Sequence, residues 1–135
     1  MTSKEYLEQA YQIDYRIQSK LVQVENLRSL TTKVTTAYGD SPNNSNSDCQ
    51  RLEKTIAKII DLENDINKDI DRLVDLKKEI SETISNIPDL KDRTILEMRY
   101  LSFRTWEEIA VALSLDLRWI HRLHRKALQK IKIDH

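Results

Sequence analysis

At 135 residues the chain has the length of one ordinary domain, or of a small domain carrying an elongated appendage. One glycine and two prolines leave few breaks in a sequence that is one-third charged, which favours helices and excludes a Gly-rich phosphate-binding loop. No apolar run approaches the roughly 20 residues that span a bilayer, and MTSKEYLEQAY lacks the apolar core of a signal peptide. The single Cys49 permits no internal disulfide. No membrane association and a cytoplasmic location are therefore expected.

From residue 3 to residue 37 there is no Gly or Pro, and Tyr6, Ala10, Ile13, Ile17, Val24, Leu27, Thr31 and Val34 recur at helical spacing, with Lys20 as the polar member. A helix of about 50 Å with one apolar stripe follows. The stretch YGDSPNNSNSD is rich in turn formers and is expected to be a loop over 38–48. A second helix, 49–86, repeats the pattern with Leu52, Ile56, Ile59, Ile66, Ile70, Leu73, Ile80, Ile84 and Ile87, interrupted by Glu63 and Lys77. Two such stripes bury each other most simply as a long antiparallel coiled-coil hairpin over residues 1–87. Pairing between chains into a homo-oligomer is the competing arrangement, and the two are compatible.

Pro88 disfavours helical geometry at Ile87 and can start a new helix, with Asp89 in its first turn. Residues 88–135 read as a second domain of three short helices, about 89–101, 105–113 and 116–131. The expected fold is thus all-α, a helical hairpin followed by a three-helix helix-turn-helix module. Ile109, Ala110, Leu113, Leu115, Ile120 and Leu123 have the spacing by which the last two helices pack across each other. Thr105 with Glu108 makes a capping box, Asp116 is placed to cap the last helix, and Ser114 holds the turn position usually given to Gly.

The charge pattern points to a partner. Residues 1–88 carry 12 basic and 15 acidic residues, and residues 89–135 carry 10 and 7, so a formal net charge of zero hides a basic C-terminal part. Within 116–132, six cations face the single Asp116. With Ile120 and Leu123 in the core, the other side of the last helix shows Leu117, Arg118, His121, Arg122 and Arg125, a face suited to the major groove of double-stranded DNA. Arg118, His121 and Arg122 are the expected base contacts; Arg125, Lys126 and Lys130 are expected to meet phosphate or a protein partner.

The segment DRTILEMRYLSFRTWEEIAVALSLDLRWIHRLHRKALQKIK resembles region 4 of bacterial sigma-70-type factors. The resemblance rests on Leu96, Met98, Arg99 and Tyr100, then Glu107, Glu108 and Ile109, then Lys126, Ala127, Leu128, Lys130 and Ile131. It implies a DNA-binding helix-turn-helix whose base-reading positions fall on Leu117, Arg118, His121 and Arg122. These differ from the common Arg-Glu-Arg-Gln pattern, so a changed DNA preference is expected. It also implies bacterial RNA polymerase as a partner, through the flap of its β subunit. Residues 1–88 show nothing like the aromatic-rich region that melts promoters. The layout resembles short transcription regulators encoded by phages and prophages of Gram-positive bacteria; the alternative is a polymerase- or sigma-binding protein that does not read DNA.

Other residues have plainer readings. His121 and His124 stand three apart, a chelating spacing, but no further ligands accompany them, so no metal and no cofactor is expected. Trp106 and Trp119 read as packing residues, and Tyr6, Tyr11 and Tyr15 as a packing edge. The run DLENDINKDIDRLVD is a solvated helix face with interleaved cations. No nucleophile motif appears, and no enzyme is expected.

Overall fold

The computed structural model describes residues 1–40 and 45–132. Its five helices are α1 (Ser3–Asp40), α2 (Ser45–Ser85), α3 (Leu90–Tyr100), α4 (Trp106–Leu113) and α5 (Leu117–Gln129), and no strand occurs among the described residues. The all-α expectation holds. Both long helices reach further into the polar stretch than the expected loop of 38–48: α1 runs through Gly39, and α2 begins at Ser45. Gly, Ser and Asn cost a helix only about 1 kcal/mol each or less, so composition alone does not stop it. Residues 41–44 of that loop lie outside the described residues, as does His135.

The chain divides into two compact units, Met1–Asp14 with Arg72–His135, and Tyr15–Asp71. The expected division at Pro88 is a helix boundary and not the unit boundary. The reason is packing: Tyr6, Leu7 and Ala10 of α1 and Ile80, Ile84 and Ile87 share one core with Leu96 and Tyr100 of α3, Ala127 of α5 and Ile131. The first turns of α1 and the last turns of α2 therefore belong with the C-terminal helices.

In the unit Tyr15–Asp71 the helices run antiparallel, as Lys20 Nζ to Asp69 (2.7 Å) and Arg28 to Glu63 (2.6 Å) show. Ile17, Val24, Ile59 and Ile66 are buried along the seam. Ile56 and Ile70, expected in that seam, are instead 44% and 41% exposed. Asp69 takes a buried seam position and meets Lys20 and, at 3.6 Å, Arg16. Lys20, the polar member of the first stripe, is thus matched by a carboxylate 49 residues away.

The helix-turn-helix has its own core, Ile95, Ile109 and Ile120, flanked by Met98, Trp106, Ala110, Leu113, Leu115 and Leu123. Asp89 stands at the N-cap of α3 rather than in its first turn, where its side chain accepts from the Lys91 and Asp92 N–H groups. The capping box at α4 is complete: Glu108 N–H donates to Thr105 Oγ1 (3.1 Å) and Thr105 N–H to Glu108 Oε1 (3.2 Å). Ser114 adopts φ 55° and ψ 41°, the left-handed turn conformation expected of that position, and its N–H reaches the Ala110 and Val111 carbonyls. Asp116 occupies the α5 N-cap without a side-chain capping bond, so its expected capping role is positional only.

Candidate nucleic-acid interface

α5 is sharply two-sided because its apolar residues recur at helical spacing: Ile120, His124 and Ala127 are buried, one turn apart. Arg118, Arg122 and Arg125, also one turn apart, project from the opposite side and are exposed, with Lys126 exposed beside them. The helix N-terminus opens directly after the Ser114–Asp116 turn, and Leu117 there is 36% exposed. Four cations and the N-terminal end of a helix dipole thus share one open surface, an arrangement that attracts phosphate and leaves guanidinium groups free to address base edges.

The other expected contacts are placed differently. His121 is half-buried, its ring 4.9 Å from that of Trp106. Lys130 is exposed but engaged: its ammonium lies 2.5 Å from the carboxylate of Asp92, a buried residue of α3, and this bond raises the lysine above its ordinary pKa. Lys130 is a structural cation that closes α5 onto α3. Lys130→Ala is accordingly expected to lower the melting temperature while leaving the salt slope of DNA binding unchanged; an unaltered melting curve with a shallower slope would show a phosphate contact instead.

Trp106 packs as expected, against His124 at 4.5 Å and beneath the Arg99 guanidinium at 4.4 Å. Trp119 does not: it is 42% exposed, and Arg122 lies over its ring at 5.3 Å. Its neighbour Ile120 is buried, but a step of one residue turns a helix by about 100°, which carries the indole out of the core and beside the cationic face. No local signal in the sequence separated these two orientations.

A buried polar pair supports the face from behind. Tyr100 OH and His124 Nε2 are 2.7 Å apart, inside the module. Burial, reinforced by the charges of Lys4, Arg99 and His121, lowers the His124 pKa to about 4, and burial raises that of Tyr100. The folded protein therefore keeps His124 neutral where the unfolded chain, with an ordinary value near 6.5, takes up a proton. Stability is expected to fall as pH drops from about 6.5 towards about 4, by up to about 1.4 kcal/mol per pH unit from this one group. Denaturant midpoints of the wild type and His124→Gln between pH 7 and 5 test this: the wild type should lose more than the variant, and parallel curves would refute it.

The residues that carried the family resemblance are mainly scaffold. Leu96, Tyr100, Ile109, Ala127 and Ile131 are buried, Glu108 closes the capping box, Arg99 covers Trp106, and Lys130 binds Asp92. They specify the shape of the module and leave the open face of α5 to other residues.

Among the described residues no group of three potential ligands could hold a metal ion, and no helix is long and apolar enough to cross a membrane. No curated protein and no solved structure is significantly similar to the chain. Residues 89–132, which take in α3, α4 and α5 with their flanking turns, match the profile of the family described as Sigma-70, region 4, and form a helix-turn-helix module similar to it.

Proposed function

We propose that the protein is a phage-type, cytoplasmic transcription regulator without catalytic activity, which binds double-stranded DNA by placing α5 in the major groove. The observation that carries this reading is the open face of Arg118, Arg122, Arg125 and Lys126 on the second helix of the helix-turn-helix, within residues that match the region 4 profile. Arg118 and Arg122 lie where side chains of a recognition helix reach base edges, and Leu117 and Trp119 flank them as apolar surface for thymine methyl groups or sugars. Arg125 and Lys126, further along the helix, are the phosphate contacts. Selection of bound duplexes from a random pool, followed by salt titration on the enriched sequence, tests the proposal. A defined motif and a log–log slope of about −0.9 per phosphate neutralised are expected.

A second reading has its own support. Val111 of α4 is 80% exposed, an isolated apolar side chain on the helix beside the recognition helix, and the formal net charge of the chain is zero. Both suit a module that contacts RNA polymerase or a sigma factor without reading DNA. Absence of any DNA affinity at low salt, together with capture of polymerase, would select this alternative.

A further inference from the structure

We infer that Tyr11 of α1 is a positioning residue for the recognition helix: acting through Arg99 of α3 and Trp106 of α4, it fixes the orientation in which His121 of α5 meets DNA. This rests on the DNA-binding reading above and extends it to a residue outside the matched segment. Tyr11 belongs to the same compact unit as the helix-turn-helix.

The C-terminal end of α3 shows why a tyrosine is needed there. The last carbonyls of an α-helix have no amide within the helix to accept from. Glu97 O accepts from the Leu101 and Ser102 N–H groups, and Met98 O from the Arg104 N–H. The Arg99 carbonyl accepts from the hydroxyl of Tyr11, 88 residues earlier in the chain. Tyr11 meets Arg99 a second time, because the guanidinium lies over its ring at 5.1 Å. One contact to the main chain and one to the side chain fix both where α3 ends and how the Arg99 side chain leaves it.

From Arg99 the contacts continue to α4 and α5. The guanidinium also lies over the Trp106 ring at 4.4 Å, and its Nη1 donates to the Arg104 carbonyl at 3.0 Å. A planar guanidinium can satisfy both demands, with its face on an aromatic ring and its edge on an acceptor. The turn between α3 and α4 is held by the same tyrosine, since Phe103 packs on Tyr11 at 4.6 Å. Trp106 in turn touches two rings of α5, His124 at 4.5 Å and His121 at 4.9 Å. His124 is buried and anchors the helix, whereas His121 shares the helical stripe of Arg118, Arg122 and Arg125. With Trp106 behind it, the His121 imidazole is restricted to the orientations that this indole allows.

Burial separates this series from the packing that joins α1 to the C-terminal helices. That packing is supplied by Tyr6, Leu7 and Ala10, which are buried, while Tyr11, Arg99, Trp106 and His121 are all half-buried at its margin. What a cation shared by two aromatic rings sets at such a margin is direction. A side chain that reads base edges needs its geometry kept within about 0.5 Å, and neighbours that are themselves locked provide this.

Three variants of the full chain test the positioning, each studied well below its melting temperature. Tyr11→Leu is expected to weaken binding to a selected duplex about 10-fold, within the range of one good base contact. Binding to random duplex and the salt slope should stay as in the wild type, because no phosphate contact is lost. Tyr11→Phe keeps the ring against Arg99 and loses only the hydroxyl, so its loss should be smaller. Leu7→Val is the packing control: Leu7 is fully buried in the shared core one turn earlier, and its shortening should lower the melting temperature without changing the ratio of selected to random binding. The indole N–H resonances of Trp106 and Trp119, told apart with Trp119→Phe, give a reading without DNA. Tyr11→Leu should move the Trp106 signal and leave that of Trp119, which lies against Arg122. An unmoved Trp106 signal overturns the inference. So does an unchanged binding ratio in Tyr11→Leu, or an equal loss of ratio in Leu7→Val. A wild type that binds no duplex at low salt defeats the DNA-binding reading instead, and the Trp106 signal then decides by itself whether Tyr11 positions the helix.

Discussion

Replacing Arg118 and Arg122 together by alanine is expected to remove most of the discrimination between a selected duplex and random DNA, and to weaken binding to the selected duplex about 100-fold or more. The estimate rests on bidentate contacts: a guanidinium that reaches a guanine edge contributes about 1–3 kcal/mol of discrimination, and two such contacts multiply. Both side chains are exposed on the side of α5 opposite Ile120, His124 and Ala127, so their removal takes nothing from the core and the melting curve should not move. Arg125→Ala and Lys126→Ala serve as the contrast. Each should weaken selected and random duplexes alike and reduce the salt slope by about one. Fluorescence anisotropy at several salt concentrations reads all three variants; equal loss from every substitution would mean that the face acts only as a field of positive charge. Trp119 provides an internal probe, because its exposed indole lies next to Arg122 and its fluorescence should change when the duplex binds.

The largest effect on stability is expected at Lys20. Its ammonium is bound at 2.7 Å to Asp69, whose side chain is only 5% exposed. Lys20→Met leaves that carboxylate buried, with the exposed Arg16 at 3.6 Å as a weaker counterion. Removing one member of a buried pair costs about 3–5 kcal/mol, and the contacts that Asp69 keeps, Arg16 among them, should hold the loss near the lower end, at about 3 kcal/mol. The double replacement Lys20→Met with Asp69→Leu should recover most of it, because an apolar pair of similar size removes two desolvation penalties at once. Urea titrations of the two single variants and the double variant complete the cycle. A single-variant loss below about 1 kcal/mol would show that the pair is solvated and contributes little.

The hairpin shows where sequence reasoning succeeds and where it stops. Helical spacing in both long segments announces two helices and their mutual burial, since an apolar stripe has no other stable resting place. It does not say which of two adjacent 4-3 series on α2 turns towards α1. Ile56, Ile59, Ile66 and Ile70 all fit one broad stripe, yet Ile59 and Ile66 are buried and Ile56 and Ile70 are open. Asp69 decides the matter. It occupies a seam position because Lys20 is there to meet it, and that partner lies 49 residues away in the chain.

In the C-terminal module local chemistry was more legible. The Thr105–Glu108 capping box and the left-handed Ser114 each depend on residues within a few positions of one another, and Ile109, Ile120 and Leu123 pack across the single turn that joins α4 to α5. Phe103 is not legible in the sequence: it adopts φ 54°, a conformation that costs a bulky residue about 1 kcal/mol or more, and tertiary contacts add to the local Arg104 N–H to Met98 carbonyl bond that closes the turn. Its ring is packed on Tyr11 at 4.6 Å and lies under the Lys77 ammonium at 4.3 Å. Lys130 shows the same limit on the functional side. As one more cation in a basic run it read as a phosphate contact, and Asp92, 38 residues earlier, makes it part of the scaffold.

By itself the amino-acid order determined the helices, the capping box of α4, the turn of the helix-turn-helix and the basic character of its last helix, because each of these arises from residues within one or two turns. Tertiary structure alone decided which cations stay open on that helix, which isoleucines of α2 remain uncovered, and that the first turns of α1 and the last turns of α2 join the C-terminal core. Those outcomes depend on charges and apolar surfaces brought together from distant parts of the chain, where burial leaves a carboxylate or an isoleucine only the partners that folding supplies.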